Sequence, residues 1–303
     1  MMEMTDLQRK ASALLQGIEF RLDEPMSRHT SFRIGGPAEI VAFPCNVEEL
    51  STILKASKML DCKVYILGAG TNVLVPDQGL QGLVICLKDC LEGIELLDDN
   101  KVRVFAGVTM SRAAVFAATH NLGGMEFAHG IPGTVGGGVY MNAGAYGGTI
   151  DQICQSVEVM TPSGELVNYP AAEMDFSYRH SRLEDEGGIV ISATFALEPR
   201  PEKLVRERMQ ELMAKRKASQ PLDLPSAGSA FKRPVGGYAA ALIDEAGLKG
   251  FRVGGAAVSE KHAGFVVNVG DATASDVMEL LKQVADKVYK CSGIQLEPEL
   301  RIW

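Results

Sequence analysis

The chemistry that this sequence suggests centres on a glycine-rich stretch near the middle of the chain. Residues 125–148 read MEFAHGIPGTVGGGVYMNAGAYGG, and the glycines alternate with apolar side chains rather than with the serines and charges of a linker. Glycine costs backbone entropy unless a position needs a positive φ or close approach by another group. Backbone N–H groups in such a segment can bind phosphate oxygens or a heterocycle edge. The residues alone leave a ligand-wrapping loop and tight turns in a β domain equally open.

A second glycine turn follows a predicted buried strand at residues 63–67. It reads Gly68-Ala-Gly-Thr-Asn72, and Val-Leu-Val-Pro comes next instead of a long helix. The third glycine of a Rossmann fingerprint is absent and no helix N-terminus is aimed at a pyrophosphate, so we reject that interpretation. The pattern favours another phosphate-binding turn, in which Thr71 and Asn72 supply side-chain hydrogen bonds.

The elements that must position these turns are mostly short strands. Apolar periodicity predicts helices over 5–16, 47–60, 111–120, 201–217, 239–246 and 275–290. Alternation and turn residues predict strands over 39–43, 63–67, 83–87, 93–97, 102–106, 153–160, 165–169, 188–197, 253–258, 263–269 and 294–303. Asn46 is expected to cap the second helix. Many short strands with few helices indicate an α+β fold rather than an alternating parallel sheet.

Composition and charge are those of an ordinary globular chain. Its 303 residues are enough for two domains, and the net charge of −8 argues against general attraction to nucleic acid or anionic membranes. No apolar run approaches the ~20 residues of a membrane span, and the N-terminus lacks the apolar core of a signal peptide. The six cysteines have no metal-binding spacing, so we expect no metal site, buried free thiols and a reducing cytoplasmic location.

Several motifs, in order along nearly the whole chain, carry a resemblance to one enzyme family. They are the turn 68–72, Gly130-Ile-Pro-Gly-Thr-Val-Gly-Gly137, Asn142-Ala-Gly-Ala145, Phe176-Ser-Tyr-Arg179, Ala227-Gly-Ser-Ala-Phe-Lys232, the segment 242–250 and Leu296-Glu-Pro-Glu-Leu-Arg301. The chain resembles the UDP-N-acetylenolpyruvoylglucosamine reductases, flavoenzymes that complete UDP-N-acetylmuramate synthesis for peptidoglycan. One family type has a long insertion bearing a tyrosine after the Ser-Tyr-Arg motif. Only about ten residues follow Arg179 before the next strand, so the chain resembles the short, second type.

The resemblance implies a vanillyl-alcohol-oxidase-type, or PCMH-type, FAD-binding domain. This domain would span 21–199, with subdomains at about 21–78 and 79–199, after an N-terminal helix in 1–20. A smaller α+β substrate-binding domain would span 200–303. The residues carried over as FAD contacts are Gly68, Ala69, Gly70, Thr71, Asn72, Gly107, Gly130, Gly133, Thr134, Gly137, Asn142 and Gly144. Two positions depart from the family: Thr71 replaces the usual Ser, and His129 stands where a small residue is common.

The family's reaction is reduction of an enolpyruvyl ether. NADPH reduces FAD, and UDP-N-acetylglucosamine-enolpyruvate then receives hydride at C3 and a proton at C2. The protein must supply a proton donor over C2 and a cation near the carboxylate, where negative charge develops. By resemblance Ser229 is the donor and Arg179 the cation, whose planar fork suits a carboxylate. Arg182 nearby is a plausible decoy.

The resemblance also assigns a catalytic glutamate and the groups that hold substrate. Glu297 and Glu299 fall on one face of the predicted last strand, and pattern alone cannot choose between them. The family places the acid two residues before the final Arg, which selects Glu299. The candidates for the substrate diphosphate are Lys217, Lys232 and Arg233, and Tyr178 is a candidate for the wall of the site. A helix-end lysine such as Lys217 more often offsets the dipole, and Tyr178 is equally well a packed aromatic.

Two other function classes deserve comparison with the reductase. A different FAD-dependent oxidoreductase of the same fold, such as an alcohol oxidase, fits the glycine turns but not the C-terminal Ser, Lys and Glu motifs. A non-catalytic sensor of nucleotide sugars fits poorly with the joint presence of Arg179, Ser229 and Glu299. The expected partners are the enolpyruvyl sugar nucleotide and NADPH, with no nucleic acid and no membrane insertion. We expect a monomer or a weak homo-oligomer.

Overall fold

The computed structural model describes residues 4–303, which divide into two compact units. The first unit holds the residues up to Leu22, Ile40–Ala69 and Gly82–Lys215, and the second holds Asp23–Glu39, Gly70–Gln81 and Arg216–Trp303. These units differ from the contiguous blocks 21–199 and 200–303 of the sequence analysis. The reason is that the segments 23–39 and 70–81 make their contacts with the C-terminal part of the chain.

The helices that apolar periodicity predicts are present in the structure. In chain order they are α1 (Asp6–Leu14), α2 (Val47–Leu60), α3 (Met110–Thr119), α4 (Val135–Tyr140), α5 (Leu183–Glu186), α6 (Glu202–Ser219), α7 (Ala239–Glu245) and α8 (Ala274–Ser292). Asn46 caps α2, as predicted, by accepting a hydrogen bond of 2.8 Å from the Glu49 amide. Helix α8 starts at a capping box formed by Thr273 and Asp276, and its buried face matches the predicted apolar stripe.

The strands are short, as the sequence predicts. They are β1 (Glu19–Pro25), β2 (Pro37–Phe43), β3 (Val64–Leu67), β4 (Val73–Leu74), β5 (Leu80–Cys86), β6 (Ile94–Leu96), β7 (Lys101–Phe105), β8 (Leu122–Gly123), β9 (Gly144–Ala145), β10 (Gly148–Thr149), β11 (Cys154–Met160), β12 (Leu166–Pro170), β13 (Ile189–Ala196), β14 (Glu198–Pro199), β15 (Ser226–Ser229), β16 (Arg252–Val253), β17 (Ala256–Val258), β18 (Phe265–Asn268) and β19 (Arg301–Ile302). The predicted hairpin of residues 153–160 and 165–169 is present as β11 and β12, which pair antiparallel.

The first unit is built on a five-stranded antiparallel sheet in the order β12-β11-β13-β7-β6. Helix α4 packs on β13 and β7, and α3 packs beside α4. A second sheet has the order β1-β2-β5-β3, and its β3 and β5 run parallel. One apolar cluster joins the inner faces of these elements and includes Val102, Val104, Val157 and Phe195. This core fixes the loops that carry the glycine stretch.

The second unit contains a four-stranded antiparallel sheet in the order β15-β18-β17-β16. Helix α8 packs on β16 and β17 with its buried residues in a core of their own. Strand β19 pairs in parallel with β4, and Asp77 accepts hydrogen bonds from the first amides of α8. These contacts explain why residues 70–81 belong to this unit.

Two strand predictions in the second unit are wrong in extent. The predicted strand 253–258 is a hairpin of β16 and β17, because Gly254 and Gly255 form its two-residue turn and Gly254 has φ +52°. The predicted strand 294–303 is regular only at Arg301–Ile302, although Pro298 forms an isolated bridge with Phe231. Glu297 and Glu299 therefore do not lie on a continuous strand, which the assignment of both side chains to one face assumed.

Part of the glycine stretch forms a helix. Neither the ligand-wrapping loop nor the tight turns considered from the sequence included one. Helix α4 runs through its three consecutive glycines. A Cβ on Gly136 would lie 2.9 Å from the Ala106 Cβ, and one on Gly138 would lie 2.8 Å from the Met110 sulfur. Two of the glycines thus allow close packing of the helix, a tertiary requirement that overrides their poor helix propensity.

The cysteines are free, as predicted, but they are only partly buried. Cys86, Cys90 and Cys154 lie inside, whereas Cys45 and Cys291 are exposed. Burial raises the pKa of Cys90 and of Cys154 to about 12, so these thiols are unreactive. Among residues 4–303, no helix is long and apolar enough to cross a membrane.

Candidate functional site

The two predicted glycine turns meet in the first unit. A Cβ added to Gly68, just after β3, would lie 2.7 Å from the hydroxyl oxygen of Thr134. Thr134 is buried and caps α4 by accepting a weak hydrogen bond of 3.5 Å from the Gly137 amide. The strand end at residues 68–69 and the start of α4 therefore form one surface, which only glycine at position 68 permits.

The amides at the start of α4 are only partly available to a ligand. The Val135 amide donates to the Val108 carbonyl at 2.8 Å, and the Gly136 amide donates to the Ala106 carbonyl at 2.9 Å. Within the described chain, the amides of Gly133 and Thr134 donate to no protein acceptor. The backbone donors that remain available to a ligand therefore lie just before the helix.

Four more of the predicted cofactor glycines have steric or conformational reasons of their own. Gly70 has φ +62°, and a Cβ there would come within 2.1 Å of the His29 carbonyl oxygen in the second unit. Gly133 has φ +124°, and a Cβ on Gly107 would overlap the Cys90 carbonyl oxygen. A Cβ on Gly144 would lie 2.4 Å from the Thr149 methyl. Packing inside the protein therefore explains glycine at 70, 107 and 144 without a ligand.

The loop that carries Arg179 is docked on the end of the glycine stretch. Asn142 is buried, with its Nδ2 donating to the Ser177 carbonyl at 3.0 Å and its Oδ1 accepting from the Asp151 amide at 3.0 Å. The Ser181 hydroxyl donates to the Tyr140 carbonyl at 2.8 Å, and Arg179 reaches the Gly144 carbonyl at 3.5 Å. Asn142 therefore acts chiefly as the tie between the glycine stretch and this loop.

Arg179 itself has an unusual backbone and an aromatic neighbour. Its φ is +58°, in the left-handed region that costs free energy for a residue with a Cβ. Its guanidinium lies 5.1 Å from the ring centroid of Tyr178, which is about half exposed. Arg182, the predicted decoy, pairs with Glu186 at 2.6 Å instead. That pairing raises the pKa of Arg182 and gives it a structural role.

The same loop contains a histidine surrounded by carboxylates. His180 Nδ1 lies 3.3 Å from Glu184, and its Nε2 lies 3.3 Å from Asp185 and 3.7 Å from Asp175. The ligating atoms of His180 and the two aspartates lie within 4.8 Å of one another. The sequence carries no clear signal for this cluster, because its members become neighbours only when the loop folds back on itself.

His129 is the most unusual polar group of the glycine stretch. Its Nδ1 is buried and has no hydrogen-bond partner in the described chain. Burial lowers the pKa of His129, and the positive charge of Arg206 lowers it further. The imidazole is therefore neutral at pH 7, and Nδ1 is a buried polar atom without a protein partner.

The second unit brings the predicted proton donor next to the predicted glutamate. Ser229 ends β15, and the following carbonyl, of Ala230, accepts a hydrogen bond of 2.9 Å from the Glu299 amide. The Lys232 amide donates to the Glu297 carbonyl at 2.8 Å, so the two segments continue side by side. Within the described chain the Ser229 hydroxyl makes no hydrogen bond to protein, which leaves its proton available.

The turn at residues 70–72 joins these two segments. The Asn72 side chain donates to the Glu299 carbonyl at 3.4 Å, and the Arg301 amide donates to the Asn72 carbonyl at 3.0 Å. A Cβ on Gly228 would lie 3.9 Å from the Thr71 carbonyl oxygen. Thr71, Asn72, Ser229 and Glu299, which are far apart in sequence, thus lie in one neighbourhood of the second unit.

Geometry separates the two glutamates that the sequence pattern could not. Glu297 is exposed and pairs with Lys232 at 3.6 Å, whereas Glu299 is half-buried between the Asn72 turn and β15. Arg233 lies 4.0 Å from the ring centroid of Tyr238. Lys217 is exposed in the last turn of α6.

The comparisons with known proteins cover both units. The model for the C-terminal domain of UDP-N-acetylenolpyruvoylglucosamine reductase matches residues 220–303, and an FAD binding domain model matches residues 38–169. A UDP-N-acetylenolpyruvoylglucosamine reductase of Agathobacter rectalis is 47% identical over 291 residues, covering 92% of each chain. One of Streptococcus pneumoniae is 44% identical over 296 residues, covering 98% of each.

The chain belongs to the UDP-N-acetylenolpyruvoylglucosamine reductase family. A crystal structure of such a reductase from Thermus caldophilus is 36% identical with a TM-score of 0.81, covering 94% of this chain and 98% of that one. The prediction of an α+β FAD-binding domain followed by a smaller α+β domain is confirmed. The chain is an FAD-containing oxidoreductase, and NADPH is its reductant.

The residues of the first unit fit an FAD molecule. FAD needs hydrogen-bond donors for its pyrophosphate and main chain close enough to reach them. The amides of Gly133 and Thr134 are such donors, and Gly68 keeps the approach to them free of a side chain. The buried Nδ1 of His129 is a further polar atom of the same stretch that a ligand can satisfy.

Proposed function

We propose that this chain reduces the enolpyruvyl ether of UDP-N-acetylglucosamine-enolpyruvate to the lactyl ether of UDP-N-acetylmuramate. FAD, held by the glycine turns at residues 68–72 and 130–137, would supply the reducing equivalents of NADPH as hydride for C3 of the substrate. The chain's own residues must then deliver a proton to C2 and stabilise the carboxylate on which negative charge develops. The proposal is supported by family membership and by the neighbourhood of Ser229 and Glu299.

Ser229 donates the proton to C2 in this proposal. A serine hydroxyl is a weak acid, so it can act only toward a strongly basic enolate and with a neighbour that shares the proton. Glu299 is suited to be that neighbour, because the Ala230 carbonyl holds the Glu299 amide at 2.9 Å. The hydrogen bond between these two segments is the observation that carries the catalytic assignment.

Arg179 stabilises the enolate through its guanidinium, whose planar fork suits a carboxylate. Its loop is tied to the glycine stretch by Asn142 and Ser181, which supports a position beside the flavin. Tyr178, whose ring lies against the guanidinium, restricts its orientation and forms part of the wall. In an apolar site such a fixed cation contributes more than it would in water.

The diphosphate of the substrate is held by basic residues of the second unit. Lys232 and Arg233 come shortly after Ser229, beyond Ala230 and Phe231, and Lys217 lies in the last turn of α6. Lys232 must exchange its exposed partner Glu297 for phosphate, which costs little because exposed ion pairs are weak. The FAD contacts remain those predicted from the sequence, with the amides of Gly133 and Thr134 as the pyrophosphate donors.

Residues 21–199 are proposed to bind FAD, and residues 200–303 to bind substrate. The turn at 70–72 lies in the second unit and offers side chains from Thr71 and Asn72. Because NADPH and the nucleotide sugar are cytoplasmic metabolites, we propose a cytoplasmic enzyme. We propose that it works as a monomer or a weak homo-oligomer.

An anaerobic titration in one cuvette tests this function. The purified protein is loaded with FAD, NADPH is added, and the enolpyruvyl sugar nucleotide follows. The flavin absorbance near its visible maximum should bleach with NADPH and return with the sugar nucleotide. Bleaching that reverses only when oxygen is admitted would retain the FAD chemistry and refute the proposed substrate.

A further inference from the structure

Strand β15 is irregular just before the proposed proton donor. Ser226 pairs with Val267 and Ser229 pairs with Phe265, so three steps on β15 oppose two steps on β18. Gly228, inside this bulge, has φ +84°. A bulge leaves an extra residue unpaired and re-aims the side chains that follow it. The direction of the Ser229 side chain therefore depends on what holds the bulge in place.

Ser31 supplies a bond to that bulge from a distant part of the sequence. Its hydroxyl donates to the Ser226 carbonyl at 2.7 Å and lies 3.3 Å from the Gly70 carbonyl. The Ser31 amide donates to the same Gly70 carbonyl at 3.0 Å. On the other side, the Ser226 hydroxyl donates to the Val266 carbonyl at 2.8 Å. The start of the bulge is thus held between the Gly70 turn and β18.

The segment that carries Ser31 is itself held by hydrogen bonds and close packing. The buried Thr30 hydroxyl donates to the Ile34 carbonyl at 2.9 Å, and His29 lies 2.9 Å from the buried carboxylate of Glu24. Gly70 fits against His29 so closely that a Cβ would come within 2.1 Å of its carbonyl oxygen. Rigid support is what allows a single hydroxyl to fix a backbone position elsewhere.

We propose that Ser31 is a positioning residue for the proton transfer, because its hydroxyl fixes the bulge that aims Ser229. The inference rests on the proposed function, in which Ser229 protonates C2. Ser31 does not touch the reacting atoms. A proton donor must lie within hydrogen-bond reach of the atom it protonates, so a small shift of the bulge slows that step.

Rapid-reaction kinetics of Ser31→Ala, with FAD bound, test the inference. Bleaching by NADPH should keep its wild-type rate, and colour recovery with the enolpyruvyl sugar nucleotide should slow about tenfold, the scale of one lost hydrogen bond. The solvent deuterium isotope effect on recovery should increase, because proton transfer becomes more rate-limiting. FAD affinity should change little, because the Ser31 amide still bonds Gly70.

Matched variants separate positioning from general destabilisation. Ser31→Thr keeps the hydroxyl and should restore most of the recovery rate. Ser292→Ala removes a comparable serine-to-carbonyl bond of 2.8 Å near the end of α8 and should leave both half-reactions unchanged. If Ser31→Ala folds poorly, Ser31→Cys, whose thiol is a weaker donor, should give an intermediate recovery rate.

The possible outcomes distinguish failure of the positioning role of Ser31 from failure of the proposed function. Ser229→Ala is measured beside the Ser31 variants. Slow recovery in Ser229→Ala with wild-type recovery and isotope effect in Ser31→Ala would overturn the positioning role alone. Equal loss of both half-reactions in Ser31→Ala would also overturn it. Wild-type recovery in Ser229→Ala would remove the proton-donor role on which the inference rests.

Discussion

Two neighbouring glycines of α4 should respond in opposite ways to the same substitution. A Cβ on Gly136 would lie 2.9 Å from the Ala106 Cβ and 3.3 Å from the Ala106 carbonyl oxygen. A Cβ on Gly137 would have its nearest neighbour, the Thr134 hydroxyl oxygen, at 3.8 Å. The methyl group added by Gly136→Ala would therefore be packed too closely against Ala106, whereas the one added by Gly137→Ala would enter open space.

The difference between the two variants isolates the steric cost. Each gains a similar amount from exchanging glycine for alanine in a helix, up to ~1 kcal/mol, and this gain cancels in the comparison. What remains is the overpacking at Gly136, which costs about 1–3 kcal/mol in well-packed interiors. We expect Gly137→Ala to equal or exceed wild-type stability and Gly136→Ala to fall below it.

Thermal unfolding of the flavin-free proteins measures this difference. The midpoint should fall by several degrees from Gly137→Ala to Gly136→Ala, at roughly 2–4 °C per kcal/mol. FAD titration, followed by flavin fluorescence, provides the second readout. Because Gly137 is exposed and is a proposed FAD contact, Gly137→Ala should bind FAD at least about fivefold more weakly despite its stable fold.

Equal midpoints for the two variants would refute the packing explanation of the glycine stretch. Unchanged FAD affinity in Gly137→Ala would remove that glycine from the cofactor site while leaving the packing argument intact. The two measurements therefore test the fold and the site separately.

Three further perturbations follow from the contacts of the second unit. Ser229→Ala should keep bleaching by NADPH and slow colour recovery by ~10²–10⁴-fold, measured by stopped flow; equal slowing of both steps would contradict the donor role. Glu299→Gln should slow colour recovery strongly, whereas Glu297→Gln, at an exposed site, should change the steady-state rate by no more than about twofold. Similar losses of rate in both variants would contradict the choice of Glu299. Asp77 accepts two amide bonds and a hydroxyl bond at the start of α8, so Asp77→Ala should destabilise the protein by ~1 kcal/mol at pH 7. Burial alone would raise the pKa of Asp77, but these hydrogen bonds outweigh it and hold the pKa below the usual value. The stability that Asp77 contributes is thus present above about pH 4 and is lost as the pH falls through the lower folded pKa. Denaturant titrations of the wild type and of Asp77→Ala should therefore give unfolding free energies that converge in acid. A difference in unfolding free energy that persists in acid would contradict this explanation.

Local signals in the sequence predicted the regular elements well. The Asn46 cap and the apolar stripe of α8 are properties of adjacent residues, so helix starts and buried faces could be derived directly. Helix α4 could not be predicted in this way. Its glycines are needed because Ala106 and Met110 pack closely against them, and these residues come near the helix only in the folded unit. The last strand is shorter than its alternation suggests, because residues 297–299 bond to the segment after β15 instead of a regular neighbour.

The sequence nominates members of the site but carries no information on how they are arranged. Motif order assigns Ser229, Glu299 and Arg179 through resemblance, and these roles stay predictions. The preference for Glu299 over Glu297 gains a physical basis only from the Lys232 pair and the Asn72 turn. Ser31 has no sequence signal at all, because its partner at Ser226 lies 195 residues away along the chain.

The central claim is that this chain transfers reducing equivalents from NADPH to an enolpyruvyl sugar nucleotide. The most direct test is anaerobic turnover with both substrates, with NADPH loss followed by absorbance and the sugar nucleotide analysed by mass spectrometry. The account predicts one NADPH consumed for each sugar nucleotide that gains the mass of two hydrogen atoms. NADPH consumption that requires oxygen and leaves the sugar nucleotide unchanged would contradict it.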